Sequence, residues 1–232
     1  MIRKLMVVAA GLFLSACANA EEPRVSDPTQ KPDGFVNATE YIHGLKSDVR
    51  YVGNNNFIGR PINGYDASVC YLTIEAADAL AEVQAKLSGF GLGLKVFDCY
   101  RPARAVANFA SWARDLDDQI MKSEFYPNVA KSRLFELGYI AERSGHSRGS
   151  TLDLTIIDAK TGEELDMGSP WDLFDSLSWP SDPRPSVEQR GNRALLQTIM
   201  LENGFRGIKE EWWHFTLNNE PYPDTYFDFP IR

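Results

Sequence analysis

The stretch Ser144-Gly145-His146-Ser147-Arg148-Gly149-Ser150-Thr151-Leu152-Asp153 and the short run Glu211-Trp212-Trp213-His214 hold two of the chain's three histidines. The first run adds an aspartate downstream of its histidine, and the second a glutamate three residues ahead of its own. Two imidazoles and one carboxylate suit a catalytic zinc, which keeps a fourth position for water and needs a separate carboxylate to take that water's proton. His146, Asp153 and His214 are therefore the candidate ligands of one zinc per chain, and Glu211 is the candidate base.

Each half alone has a plainer reading, since a lone histidine on an apolar strand is usually a packed core residue and a glutamate three before a histidine is common. Together they form a complete set. A rival lies inside the first run, because Gly145-His146-Ser147-Arg148-Gly149 fits the G-x-S-x-G nucleophile elbow and His214 follows downstream. That elbow needs a strand before the serine and a helix after it. Here Thr151–Asp158 (TLDLTIID) alternates and is rich in β-branched residues, so a strand follows the serine and the context argues against a serine hydrolase.

The spacing of His146 and Asp153 does not place both on one helical face, so the site is expected to run from loop to strand with Gly149 making the turn. On a regular strand Glu211 and His214 would face opposite ways. Glu211 is therefore placed in a bend and His214 on a last strand at 213–217, with Trp212 and Trp213 as packing residues. His43 has no partner motif and is read as surface or core. Upstream, Ile74–Ser88 has helical apolar spacing, and Gly89 or Gly91 turns it into a strand at Leu92–Asp98. Pro102 is placed to open a helix spanning 103–121 at its first turn. Residues 127–138 are a shorter helical or irregular piece, 158–162 a turn, and 167–185, with its prolines and no periodicity, a long functional loop. Ser186 and Gln189 form a capping box for a helix ending at Gly204, followed by a strand at 205–208.

The two motifs, with Tyr100-Arg101-Pro102 upstream and the closing Tyr226-Phe227-Asp228-Phe229-Pro230, resemble the zinc D-alanyl-D-alanine dipeptidases, VanX-type members of the D-alanyl peptidase and Hedgehog-like family. The resemblance runs from about Phe35 to the C-terminus. It places His146, Asp153 and His214 on the family's zinc ligands, Glu211 on its base and Arg101 on its essential arginine, whose role would be to stabilise the developing oxyanion. It also places Asp172 where related dipeptidases hold the substrate's amino group, with Ser144 and Tyr139 as further contacts. Buried without a partner, an ammonium costs several kcal/mol, which is the reason for expecting a carboxylate there. A loop aspartate bonded to its own backbone is the plainer alternative for Asp172.

The helices and short strands argue for an α+β fold. The resemblance implies a small mixed or antiparallel sheet flanked by helices, with zinc at the sheet face. The implied activity is hydrolysis of D-alanyl-D-alanine to two D-alanines. The alternatives are a D,D-carboxypeptidase or endopeptidase acting on larger peptidoglycan peptides, and a zinc-stabilised binding module without activity, which would have no need of Glu211 and Arg101.

A chain of 232 residues with 44% hydrophobic content is long enough for one core, and no repeat or low-complexity linker divides it. With a net charge of -8 and no basic stripe, a nucleic-acid partner is not expected. Arg3 and Lys4 precede an apolar run at 5–14, which is too short to span a bilayer of ~30 Å hydrocarbon thickness and reads as a secretory signal. Leu14-Ser15-Ala16-Cys17 resembles a bacterial lipoprotein box, with ordinary cleavage after Ala18-Asn19-Ala20 as the alternative. The expected organisation is a signal peptide at 1–16, a tether at 17–34 lipidated on Cys17, and a catalytic domain at 35–232, exported to the periplasm and held to the membrane by the lipid. In that compartment disulfides can form. A helix and an antiparallel strand of similar length, about 22 Å each, bring Cys99 back near Cys70, so a bridge is permitted, with two buried free thiols as the other outcome.

Overall fold

The computed structural model describes residues 30–232. The expected signal peptide and the expected lipidation site at Cys17 lie outside the described residues, as does most of the expected tether. The element that anchors the fold is the strand expected at Thr151–Asp158, here β5, in which every residue up to Ile157 is buried. It can be buried on both faces because it is central: Leu152, Leu154 and Ile156 point one way, Thr151, Asp153 and Thr155 the other.

In chain order the strands are β1 (Phe35–Asn37), β2 (Lys46–Ser47), β3 (Tyr71–Thr73), β4 (Leu92–Asp98), β5, β6 (Phe205–Gly207) and β7 (His214–Leu217). The helices are α1 (Ala38–Tyr41), α2 (Ile74–Ser88), α3 (Ala103–Arg114), α4 (Lys122–Phe125) and α5 (Val187–Glu202). Five strands form a mixed sheet in the order β2-β4-β5-β7-β6, and β1 and β3 form a separate antiparallel pair. Only β2 runs parallel to its neighbour. The α+β expectation with a small mixed sheet therefore holds. Helix α2 packs on β4, α5 on β6 and β5, and the two helices touch each other.

Local chemistry explains the elements. Thr73 caps α2 by accepting from the Ala76 amide, and Ala76, Ala77, Leu80, Val83 and Leu87 form its buried stripe. Gly91, at φ +71°, makes the turn into β4. Ser186 and Gln189 form the expected capping box on α5. The closing segment threads Phe227 and Phe229 into the core against Phe35, and Tyr100 stacks on Phe229 with ring centroids 4.0 Å apart. The Asp228 carboxylate accepts from the Arg104 amide at 2.6 Å and so caps α3.

Helix α5 and strand β6 end at Glu202 and Gly207, within two residues of expectation, and three further boundaries differ. Helix α3 stops at Arg114 instead of running to Met121, because Asp115 turns to ψ 90°. No apolar face continues beyond it, since Leu116 and Ile120 are 49% and 74% exposed. The buried Lys131 ammonium, donating to the carbonyls of Asp115 and Asp118, holds the chain in its non-helical turn. Pro102 precedes the helix as its cap instead of occupying its first turn. The last strand begins at His214, although the Trp213 carbonyl already accepts from the Leu154 amide. Of the two outcomes left open for the cysteines, the bridge forms: Cys70 and Cys99 are bonded, their Cα atoms 5.2 Å apart.

Candidate active site

Three neighbouring strands place their functional side chains in one row. Asp153 on β5 pairs across the sheet with Asp98 on β4 and with His214 on β7, and directly opposed residues share a face. Asp98 reaches this face only because the register slips between Val96 and Asp98, a β-bulge that re-aims the strand end. His146 comes from above the row, on a 3₁₀ turn at Gly145–Arg148 that Gly149 closes at φ +83°. A Cβ at Gly149 would lie 2.2 Å from the Phe35 ring, so both the backbone angle and the space demand glycine.

The donor atoms converge. His146 Nε2 is 3.2 Å from His214 Nδ1, and Asp153 Oδ1 is 3.3 Å from the former and 3.1 Å from the latter. His146 Nδ1 lies 2.7 Å from the Cys99 carbonyl, which can only accept. Nδ1 therefore carries the proton, and in the neutral ring Nε2 presents a lone pair to the cluster. The Trp171 indole donates to Asp153 Oδ2 at 3.3 Å, which leaves Oδ1 for the histidines. Although burial opposes it, His146 and His214 hold the Asp153 carboxyl well below the usual carboxylate range. These three groups are a set that could hold a metal ion. Their chemistry, two nitrogens and one carboxylate oxygen with outer hydrogen bonds in place, fits zinc.

Around them lies a cavity of about 180 Å³, lined among others by Tyr51, Arg101, Tyr139, Ser144, Asp172 and Glu211. Every residue singled out in the sequence for this site thus borders one space. Glu211 stands in the bend between β6 and β7, its Oε2 3.5 Å from His214 Nδ1. Burial, reinforced by the Asp153 charge, pushes its carboxyl up to about 8. Arg101 is fixed through Nε and Nη2, both 2.9 Å from Asp98 Oδ2, and its guanidinium lies over the rings of Tyr51 and Phe109. The Asp172 carboxylate accepts from the Tyr51 hydroxyl at 2.7 Å and is 5% exposed. Its side-chain partner is thus Tyr51 and not its own backbone. Burial raises its pKa well above the usual value against the Tyr51 hydrogen bond, and the Asp153 and Glu211 charges add to the rise. Ser144 caps the His146 turn by accepting from the His146 amide. Tyr139 stacks on Phe174, ring centroids 5.2 Å apart.

Two residues of this constellation were not singled out in the sequence. Asp98 accepts from the Tyr65 hydroxyl at 2.6 Å as well as from Arg101, and lies 3.4 Å from His146 Nδ1. Its only local signal was a carboxylate three residues before Arg101. Tyr51, in a 3₁₀ turn at Arg50–Val52 far upstream of either motif, carried no signal at all.

The sequence model of the D-ala-D-ala dipeptidase family matches residues 31–232. The chain belongs to this family. Three D-alanyl-D-alanine dipeptidases are close in sequence to it. The Enterococcus faecium protein is 39% identical over 86% of this chain and 98% of its own length. The Enterococcus faecalis protein is 40% identical over the same shares, and that of Streptomyces coelicolor 41% identical over 85% and 98%. Among solved structures, a vancomycin resistance D,D-pentapeptidase, VanY, in complex with Zn(II) covers 68% of this dipeptidase-family chain and 78% of its own at 12% identity and a TM-score of 0.40, a likeness too slight to build on.

Proposed function

We propose that this chain is a zinc-dependent dipeptidase that hydrolyses D-alanyl-D-alanine to two D-alanines. The observation that carries the proposal is the convergence of His146, Asp153 and His214 beside a separate carboxylate, Glu211, in a cavity that also presents Asp172. The ligand role goes to those three residues. Zinc bound there would polarise the scissile carbonyl and lower the pKa of a bound water toward ~7. Glu211, a carboxyl already biased toward holding a proton, takes one from the attacking water and passes it to the leaving amine. Arg101, held by Asp98 and facing the same cavity, offers fixed N–H donors to the oxygen on which charge develops. Asp172 receives the substrate ammonium, whose charge offsets the burial of a carboxylate that otherwise resists ionising.

Asp172 favours the dipeptide over larger peptidoglycan peptides, because only a free dipeptide carries its ammonium within the cavity, one residue from the scissile bond. Activity is expected to vanish on chelation, return with zinc, and fall by at least about a hundredfold in Glu211→Ala at unchanged zinc content. A folded Glu211→Ala protein with near-normal turnover would remove Glu211 from the role of base. Comparing the free dipeptide with muropeptides decides the substrate class.

We also place the enzyme in the periplasm, tethered through a lipid on Cys17. The apolar run at 5–14, the Leu14-Ser15-Ala16-Cys17 sequence and the bridged Cys70 and Cys99 support export to an oxidising compartment. There it would act on released wall fragments, in wall turnover or dipeptide recovery. Fractionation of cells carrying Cys17→Ser tests the anchor: release of the protein from the membrane is expected, and an unchanged distribution would refute it.

A further inference from the structure

Asp172 is the one non-glycine residue with positive φ, at +64°, among the described residues. Such a backbone persists only where its surroundings hold it. The surroundings here are unusual, because the segment around Asp172 is organised by a guanidinium. Arg193, on α5, is 3% exposed and does not line the cavity. Its Nε donates to the Met167 carbonyl at 2.5 Å, Nη1 to that of Trp179 at 2.9 Å, and Nη2 to the Leu177 carbonyl at 3.0 Å and the Ser169 hydroxyl at 3.3 Å. These acceptors bracket Asp172 on both sides, and none is a carboxylate. Ser169 Oγ also accepts from the Trp212 indole at 2.9 Å, and Ser178 Oγ donates to the Leu173 carbonyl at 2.7 Å. One buried charge thus ties together a loop that has no regular structure beyond a single 3₁₀ turn at Ser176–Ser178.

We propose that Arg193 is a positioning residue that sets the enzyme's selectivity for substrates with a free amino group, by holding the Asp172 loop in the one conformation that presents its carboxylate to the cavity. This rests on the reading of Asp172 as the ammonium site. An arginine suits the task because its planar fork serves several acceptors in fixed directions, which a lysine cannot. With Arg193 absent, the carbonyls of Met167, Leu177 and Trp179 are left without this donor, and the loop relaxes away from the strained conformation at Asp172.

The test compares KM for D-alanyl-D-alanine with the inhibition constant of the N-acetylated dipeptide. Arg193→Gln is expected to shrink the preference for the free amine about tenfold, a weakening of the Asp172–ammonium contact equal to about one hydrogen bond to a charged group. Its kcat on the free dipeptide stays within about threefold of wild type, because no group at the reacting atoms has been removed. Asp172→Ala erases the same preference, and the double variant loses no more than Asp172→Ala alone, the non-additivity expected of residues acting through one loop. Arg193→Lys, which keeps the charge but not the fork, also loses preference and serves where the Gln variant does not fold. If Asp172→Ala keeps the wild-type preference, the ammonium reading itself is wrong. If Asp172→Ala erases it while Arg193→Gln and Arg193→Lys keep it, the inference about Arg193 alone is wrong. A small cavity of about 10 Å³ is lined by Arg193, Trp212 and Glu211. A kcat loss with the preference unchanged would therefore put Arg193 behind the base and overturn the proposal.

Discussion

At the level of single residues, each group assigned above to the metal or the substrate is itself held by another. Asp98 is the clearest case. It is fully buried, and its two oxygens serve the Tyr65 hydroxyl, the Arg101 guanidinium and the protonated face of His146. Replacing it by asparagine removes the charge that holds Arg101 and leaves a weaker partner beside His146. Outer partners of metal ligands cost about 10–100-fold in metal affinity when removed, so competition with a chelator should show zinc affinity falling by that range in Asp98→Asn. Wild-type affinity in the variant would show that the Cys99 carbonyl alone orients the ring. The proposed metal-binding triad was legible in the sequence because its residue types are scarce: the chain has three histidines, and two stand in motifs. Asp98 was not, because an aspartate at a strand end is ordinary until the bulge and the cross-strand register place it beside His146.

Elements were legible where periodicity was strong and unreadable where pairing decided. The limits of α2, β4 and β5 coincide with the expected ones, since each has a clear apolar pattern and a turn residue at its end. The end of α3 was missed because the feature that stops it, the Lys131 clamp on Asp115 and Asp118, comes from a distant residue. Strand β2 has two residues and no pattern, and its parallel place beside β4 follows from tertiary packing alone. The turn carrying His146 shows how much one position can depend on such packing. Alanine at Gly149 would need a left-handed backbone at φ +83° and a Cβ 2.2 Å from the Phe35 ring. Strained backbone and overpacking each cost about 1–3 kcal/mol. Gly149→Ala is therefore expected to lower Tm by several degrees and to weaken zinc binding together, because the turn that shifts is the one that aims His146. A variant with normal stability and normal zinc content would show that Phe35 yields without moving the turn.

On the scale of the whole molecule, one covalent link joins the second sheet to the proposed metal site. Cys70 immediately precedes β3, and its carbonyl accepts from the Ala38 amide at 2.8 Å. Cys99 immediately follows β4, and its carbonyl accepts from His146 Nδ1–H. The bridge therefore fixes the position of an atom that sets the tautomer and direction of a proposed zinc ligand. Closing a loop of 29 residues' separation gives roughly 3 to 4 kcal/mol in the chain-entropy description, a large share of the 5–15 kcal/mol by which domains are stable. Reduction should then do two separable things. It lowers Tm by many degrees, and below that Tm it speeds zinc loss to a chelator, because the β4 end that carries the Cys99 carbonyl is no longer pinned to β3. A Cys70→Ser, Cys99→Ser double variant should reproduce both effects without reductant. If the double variant loses stability but keeps wild-type zinc affinity, backbone hydrogen bonds alone hold residue 99, among them the Tyr100 amide to the Tyr71 carbonyl at 2.9 Å. The bridge would then serve the fold without serving the metal.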